Sequence, residues 1–286
     1  MVKARAIKEI LLLNILRLSA IAIMLSFFII LYFLAVEGLK VLSISFLIER
    51  PRAGMTEGGI MPALLGTFYL TLGAIIVAFP LAVFTAIYMT EYAYTQSKTM
   101  QAVRIAVNTL AGVPSVVYGL FGFAVFVKVF GFGVSILAGS LTIAILLLPI
   151  LIRATQEALF AVPNSFREAS FAVGATKWQT IRMVVLPASA PGILTGVILS
   201  ISRAAGETAP IMFTAVTFFT IALPDSIFSE VMALPYHIYG LMTEGAVPEK
   251  QVPIAYGTAL VLVLLVLSLS LTAIIIRIRL RKQKKW

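Results

Sequence analysis

Residues 251–285 read QVPIAYGTALVLVLLVLSLSLTAIIIRIRLRKQKK. No charged residue occurs from Gln251 to Ile276, whereas every charge from Arg277 to Lys285 is basic. Because a helix needs about 20 mostly apolar residues to cross a bilayer, the first part predicts a transmembrane helix. Basic residues that directly follow a span favour the cytoplasmic side, where they face anionic lipid. The tail therefore indicates a membrane contact rather than a nucleic-acid-binding segment.

The composition of the whole chain agrees with a membrane protein. Of its 286 residues 60% are hydrophobic and 12% are charged, and the mean hydropathy is +1.05. Soluble domains are about 25% charged, so a soluble enzyme is disfavoured. The absence of cysteine excludes disulfides, thiolate metal sites and cysteine nucleophiles. A single histidine, His237, excludes a zinc site built on several histidines.

Five further apolar stretches precede this one and predict an all-α membrane protein with six transmembrane helices. They are Leu18–Val36, Gly58–Thr90 with a helix that starts near Ala63, Ile105–Val127, Val129–Ile152 and Met183–Pro224. Lys128, with Gly131 and Gly133, marks a short turn between the third and fourth spans. The first stretch is interpreted as a retained helix, because Val36-Glu37 is not a small-residue cleavage site. Pro80 and Pro149 are expected to bend their helices.

The distribution of basic residues predicts the orientation. With the N-terminus in the cytoplasm, the inner segments hold 16 of the 22 Lys and Arg residues and the outer loops hold 5. The last one, Arg203, lies within span five. An excess of basic residues marks cytoplasmic loops, so both termini are expected in the cytoplasm.

The longest cytoplasmic segment runs from Arg153 to Arg182. Pro163-Asn164-Ser165 predicts a helix start with Asn or Ser as the N-cap and Glu168 in the first turn, and Gly174 predicts its end. Leu186-Pro187 is expected to interrupt the chain before a helix restarts at Pro191-Gly192. The pattern predicts a protruding helical hairpin with small residues on its exposed side, which docks on a partner. A helix lying on the bilayer surface is the alternative.

The residue spacing of this segment resembles the "EAA" loop of ABC-importer permeases. The matching residues are Glu168-Ala169, then Gly174, then Leu186-Pro187, and Ser170 stands where the family has a second alanine. The resemblance implies the type I importer (MetI-like) permease fold. It implies one permease domain over 1–286, with a first helix at 18–36, a core at 63–276 and a coupling loop at 153–190. In that family the loop fits a cleft on the ATP-binding subunit.

Arg203 and Glu207 form a charged pair inside span five. Residues four apart share one helix face, and ionisable groups at membrane depth usually mark a transport path. An internal salt bridge that fixes helix packing is the alternative. The planar guanidinium suits a tetrahedral oxyanion. The Glu207 carboxylate is an acceptor that a protonated phosphate satisfies and that sulfate leaves unpaired.

The segment around this pair, SRAAGETAP at 202–210, resembles the "RAxGETAP" segment of PstA-type permeases of phosphate-specific (Pst) importers. Residues 110–120, LAGVPSVVYGL, resemble the family's "GVPSIVYGL" segment, and Gly66-Thr67 and Glu91-Tyr92 agree. The resemblance implies that inorganic phosphate passes Arg203, Glu207 and Thr208. It implies a location in the prokaryotic cytoplasmic membrane.

The same resemblance implies a set of partners. They are a PstC-like sister permease, two PstB-like ATP-binding subunits and a PstS-like extracytoplasmic phosphate-binding protein. No cofactor is expected in this chain, since ATP and Mg²⁺ are held by the ATP-binding subunits, and no P-loop motif G-x-x-x-x-G-K-[ST] occurs in it.

Two other functions are weighed against phosphate import. One is a permease of the same fold for molybdate, tungstate or sulfate, which the Gly206–Pro210 stretch disfavours. The other is a stand-alone anion channel or proton-coupled carrier, which the coupling loop disfavours. His237 is interpreted as a packed residue of the outer loop 222–250, and Asn108 as a helix–helix hydrogen-bonding group, with path lining as the alternative.

Overall fold

A computed structural model describes residues 2–92, 97–218, 220 and 222–283. Apart from loops and two isolated bridges, the described residues are helical. The α-helices are α1 Val2–Leu39, α2 Ile44–Ile48, α3 Met61–Ile87, α4 Lys98–Gly112, α5 Ser115–Gly122, α6 Ile136–Phe160, α7 Asn164–Ala172, α8 Lys177–Thr180, α9 Leu186–Gly206, α10 Ala209–Met212, α11 Leu234–Thr243 and α12 Pro248–Gln283. Wider π-helical turns extend α3 (Tyr88–Tyr92) and α5 (Phe123–Val129) and join α8 to α9 (Ile181–Val185).

Five helices of the described chain are long and apolar enough to cross a membrane. They are Leu11–Leu39, Met61–Tyr92, Ile136–Phe160, Lys177–Gly206 and Pro248–Arg279. They correspond to five of the six predicted spans. The predicted basic end of the last one extends to Lys284 and Lys285, which lie outside the described residues.

The predicted third span is broken. Met100–Gly112 and Ser115–Val129 meet at an angle of 104°, so the span predicted over Ile105–Val127 consists of two helices. Pro114 has no N–H to continue the helix, and it holds the residue before it in an extended conformation. Val113 accordingly has φ −73° and ψ 132°. A sixth span exists only if the two bent halves are counted together.

The ends of spans four and five also differ from the prediction. The fourth starts at Ile136 rather than Val129, because Phe123–Val129 completes the preceding helix and the Ser135 hydroxyl caps the new one at Ala138 N, 3.2 Å away. The fifth runs from Lys177 to Gly206 rather than from Met183 to Pro224. Leu186-Pro187 therefore lies inside a continuous helical run, and the predicted interruption there is wrong.

The core forms where α3 crosses α6 and where α6 and α12 pack on α9. On α3 the core positions are alanines four residues apart, Ala74, Ala78 and Ala82, all fully buried. Small residues at this spacing let two membrane helices approach closely. The facing side of α6 supplies Ile143, Leu147 and other large apolar side chains. Helix α1 packs on α12, outside this core.

Gly66 on α3 is one place where the close approach forbids a side chain. A Cβ at this position would lie 1.9 Å from the carbonyl oxygen of Met232. One residue on, Thr67 Oγ1 accepts a hydrogen bond from Leu234 N at 2.8 Å, so the backbone of 231–234 is held directly against α3. The close contact is therefore with backbone atoms, which have little freedom to move.

Replacing Gly66 by alanine is expected to lower the thermal unfolding midpoint of the detergent-solubilised protein by several degrees. Overpacking a core costs about 1–3 kcal/mol, and here the backbone of Met232 must move. Gly112→Ala is the matched control, because a Cβ at Gly112 meets nothing within 4 Å. Equal midpoints for the two variants would contradict this packing.

Candidate transport path and coupling hairpin

Arg203 and Glu207 are joined in an ion pair. Arg203 Nε donates to Glu207 Oε1 at 3.1 Å, and the side chains are 52% and 14% exposed. Helix α9 ends at Gly206, and Glu207 already has an extended backbone with φ −74° and ψ 130°. The sequence placed both residues on one continuous helix, which is wrong for Glu207. The internal salt bridge, the alternative that the sequence left open, is present.

The pair leaves most of the Arg203 guanidinium free. Only Nε binds Glu207, and no other hydrogen bond of Arg203 is present in the described part of the chain. The side chain borders a cavity of about 610 Å³ between α1, α9 and α12, and a smaller one of about 50 Å³ beside Tyr118 and Pro149. The two terminal nitrogens of a guanidinium form a fork that binds two oxygens of the same oxyanion. Glu207 therefore orients the guanidinium without saturating it.

The third predicted path residue, Thr208, follows directly. It is half-buried at the start of the short helix α10, and its carbonyl accepts from Met212 N at 3.1 Å. Helix α10 packs on α5, where a Cβ at Gly119 would lie 2.8 Å from Ala209 O. Across the break before α5, Tyr118 Oη donates to Leu110 O at 2.6 Å. The 110–120 and 202–210 segments, far apart in sequence, thus form one unit.

Two other residues singled out in the sequence are placed as expected. The Asn108 side-chain oxygen accepts a hydrogen bond from Arg153 Nη2 and so links α4 to α6. His237 is 2% exposed on α11, with its ring 6.0 Å from that of Phe218. Burial lowers the pKa of His237 from 6.5 to about 4, because the charged form loses its hydration. His237 is therefore a neutral packed residue.

The predicted cytoplasmic hairpin is formed by α7 and α8. Gly174, with φ +83°, makes the turn between them, and the Ser170 and Thr180 hydroxyls lie 2.9 Å apart across the hairpin. The predicted cap is wrong: the N-cap is Pro163, without a side-chain hydrogen bond, and no acidic residue lies in the first turn. Proline fits here because it needs no N–H donor to start a helix.

The five predicted coupling residues fall into two groups. Glu168, Ala169 and Gly174 are exposed on the hairpin. Leu186 is half-buried at the base of α9, where it packs on a buried cluster that includes Ile87 and Leu159, and Pro187 follows it, exposed. Glu168, Ala169 and Gly174 thus form an exposed surface on the hairpin, whereas Leu186 and Pro187 belong to helix α9, which follows the hairpin.

Large apolar side chains accompany the exposed group. Phe171, Val173 and Trp178 are 48%, 84% and 47% exposed. An exposed apolar patch of this kind marks a protein or membrane contact. The hairpin surface is therefore suited to docking.

Arg167 fixes the hairpin to the transmembrane body. Its Nη2 lies 2.7 Å from Glu91 Oε1 at the end of span two, and the two side chains are only 16% and 10% exposed. The same guanidinium donates to the carbonyls of Val162 at 2.8 Å and Leu159 at 3.1 Å, at the end of span four. We call this arrangement the bracket. Arg167 was not predicted from the sequence as a functional residue, although Glu91 was singled out.

The neighbours of these two residues reinforce the bracket. Lys177 Nζ, on α8, lies 4.8 Å from the centroid of the Tyr92 ring. Cation–π contacts of this kind stabilise by about 0.5–1 kcal/mol at exposed sites. Both arms of the hairpin are thus attached to the end of span two.

Comparison with known proteins agrees with this geometry. Residues 78–283 match the family described as "Binding-protein-dependent transport system inner membrane component". The "Probable ABC transporter permease protein YqgI" of Bacillus subtilis is 32% identical over 240 residues, 80% of this chain and 81% of that protein. The "Phosphate transport system permease protein PstA" of Haemophilus influenzae is 38% identical over 189 residues, 66% of each chain.

A mycobacterial relative is similar over a shorter share of its own length. The "Phosphate transport system permease protein PstA 1" of Mycobacterium tuberculosis (strain CDC 1551) is 39% identical over 186 residues, which are 65% of this chain and 60% of that protein. The chain thus matches less than two thirds of that relative.

Solved structures share the fold. A permease of the MetNI methionine ABC transporter in an inward-facing conformation superposes with a TM-score of 0.58 at 18% identity, over 78% of this chain and 94% of the other. A bacterial alginate ABC transporter gives 0.63 at 15% identity, over 98% and 96%. The chain belongs to the binding-protein-dependent transport system inner membrane components, the multi-pass permease subunits of ABC importers.

Proposed function

We propose that this chain is the permease subunit of an ATP-driven importer for inorganic phosphate. The observation that carries the proposal is Arg203, whose guanidinium is oriented by Glu207 through Nε and keeps its terminal nitrogens free beside two cavities. The similarity to proteins named phosphate permeases supports phosphate as the cargo.

Phosphate meets Arg203 transiently in this proposal. The free Nη groups bind two phosphate oxygens, and Glu207 accepts a hydrogen bond from the protonated oxygen, with Thr208 next to it. Arg203 is half exposed, so water weakens the interaction and the anion is released. High affinity then belongs to the extracytoplasmic phosphate-binding protein.

ATP hydrolysis takes place in the partner subunits. Closure of these subunits pushes on the exposed side of the hairpin, at Glu168, Ala169 and Gly174. The bracket transmits this movement to the ends of spans two and four. The spans then rock between outward-open and inward-open states around Arg203. A sister permease supplies the other half of the path. In this arrangement the hairpin and both chain termini face the cytoplasm.

The test is uptake of radiolabelled phosphate into proteoliposomes that contain this chain with its sister permease, ATP-binding subunits and binding protein. We expect uptake that requires ATP and all four components. An intact complex that does not take up phosphate would indicate that the cargo is another oxyanion. Uptake by this chain without the ATP-binding subunits would indicate a channel or carrier instead.

Replacing Glu207 by glutamine is expected to lower the ratio of phosphate to sulfate uptake about tenfold, which corresponds to about 1.4 kcal/mol. Sulfate has no proton to donate to a carboxylate, so it leaves the wild-type Glu207 unpaired, whereas an amide N–H can donate to sulfate. The binding protein is the same in both preparations, so a changed ratio comes from this chain. Glu244→Gln, exposed in the outer loop, is the control. An unchanged ratio in Glu207→Gln would remove this role of the carboxylate.

A further inference from the structure

A third cavity, with a polar lining, lies between α4 and α6, on the hairpin side of Arg203. Its volume is about 330 Å³. It is lined by Met89, Arg104, Val107, Asn108, Arg153, Gln156, Glu157 and Phe160. The small cavity beside Arg203 is lined by Leu110 and Ala111 of α4 and by Pro149 and Ile150 of α6. Asn108 lies within about one turn of Leu110 on α4, and Arg153 lies within about one turn of Ile150 on α6. The two cavities are therefore neighbours along the contact between these two helices.

The guanidinium groups of Arg104 and Arg153 line the cavity without forming an ion pair, although the Glu157 carboxylate lines it too. Arg153 donates one N–H to Asn108. No ion pair of Arg153 or Arg104 is present in the described part of the chain, where the four ion pairs involve other residues. Guanidiniums that line one cavity and form no ion pair attract an anion.

A buried amide in the same cavity also lacks a good partner. Gln156 is 8% exposed, and its Nε2 donates to Met89 Sδ at 3.4 Å. A thioether sulfur is a weak acceptor, and a buried polar group with a weak partner is costly. An oxyanion in the cavity would offer this amide a charged acceptor, which makes a much stronger hydrogen bond.

The cavity repeats the residue pattern of the Arg203 site. Arg153-Ala154-Thr155-Gln156-Glu157 matches Arg203-Ala204-Ala205-Gly206-Glu207 in the spacing of its charges. The outcome differs: Arg203 pairs with Glu207, whereas Arg153 donates to Asn108. Glu157 does not pair with Arg153 in the described structure, so both charges face the cavity separately. Glu157 is then free to accept a hydrogen bond from the P–OH group of a hydrogen phosphate.

We propose that this cavity is an exit site, which binds the transported oxyanion after it leaves Arg203 and before it enters the cytoplasm. The anion is hydrogen phosphate, which rests on the proposed function. Arg104 and Arg153 bind its oxygens, Gln156 donates a hydrogen bond to it, and Glu157 accepts a hydrogen bond from its P–OH group. Both arginines are exposed, so the site holds the anion weakly and releases it.

The absence of cysteine in the chain allows a direct test by thiol labelling. Phe160→Cys places one thiol at the rim of the cavity, at a position that is 62% exposed. In the assembled importer, labelling by an anionic methanethiosulfonate reagent is followed by the mass of this chain, with and without inorganic phosphate at constant ionic strength. We expect phosphate to slow the labelling several-fold.

Second substitutions locate the protection. It should disappear in Phe160→Cys/Arg104→Gln/Arg153→Gln. It should persist in Phe160→Cys/Arg203→Gln, which removes only the Arg203 site. It should also persist in Phe160→Cys/Lys98→Gln, which removes an exposed charge outside the cavity. Absence of protection, or protection that survives the loss of both cavity arginines, would overturn the exit site.

Uptake by the same Phe160→Cys importer separates this proposal from the previous one. Phosphate uptake without protection overturns the exit site and leaves the proposed function in place. Protection without phosphate uptake overturns the proposed function, and with it the statement that the bound anion is the cargo.

Discussion

Replacing Arg203 by lysine should lower ATP-dependent phosphate uptake about ten- to hundredfold while the importer still assembles. Lysine keeps the positive charge but loses the planar fork that holds two oxygens and Glu207 at once. Hydrogen bonds to charged groups contribute about 1.5–3 kcal/mol each, and each 1.36 kcal/mol changes a rate tenfold. The measurement is initial uptake of radiolabelled phosphate into proteoliposomes with equal amounts of complex.

Arg50→Lys is the matched control for this substitution, because Arg50 is an exposed arginine of the loop between α2 and α3, outside the cavities that border Arg203. It should transport at the wild-type rate. Co-purification of the ATP-binding subunits with Arg203→Lys shows that the complex is intact. Equal uptake by Arg203→Lys and the wild type would reduce the Arg203–Glu207 pair to a helix-packing contact.

Removing the bracket is expected to have the second large effect. In Arg167→Gln, Glu91 becomes a nearly buried carboxylate without a counter-charge, and breaking a buried ion pair in this way costs about 3–5 kcal/mol. The hairpin also loses its bonds to the carbonyls of Val162 and Leu159. We expect a lower unfolding midpoint and the loss of phosphate uptake, with ATP hydrolysis that no longer responds to the binding protein.

Two further variants test whether the contact itself is responsible. In Arg167→Gln/Glu91→Gln no charge is left unpaired, so part of the stability should return and the two substitutions should not be additive. Glu168→Gln is the control on the exposed side of α7: it should weaken binding of the ATP-binding subunits without lowering the unfolding midpoint. Additive effects of the two bracket substitutions would contradict direct coupling between Arg167 and Glu91.

Local patterns were enough to predict most of the architecture. Uninterrupted apolar runs predict spans because every backbone polar group inside a bilayer must be paired within a helix. The hairpin was predicted from its turn residues, Pro163 and Gly174, and its spacing indicated the family. These features depend on residues close in sequence, so they can be predicted without knowledge of the tertiary structure.

The contacts that make the site were not readable in this way. Glu91 and Arg167 lie 76 residues apart, and nothing local to either one indicates the other. Residues 105–127 were predicted as one span, and the angle of 104° between its two halves was not predicted.

The Arg203 and Arg153 segments show the same limit. Each has a glutamate four residues after its arginine, but only Arg203 forms the ion pair, whereas Arg153 donates to Asn108 of another helix. Hydropathy thus predicted five of the membrane-spanning helices, turn residues predicted the hairpin, and motif spacing indicated the family. Long-range packing determined which charges are paired and which are free to bind an anion, because the free energy of a buried charge depends on neighbours that the fold brings together.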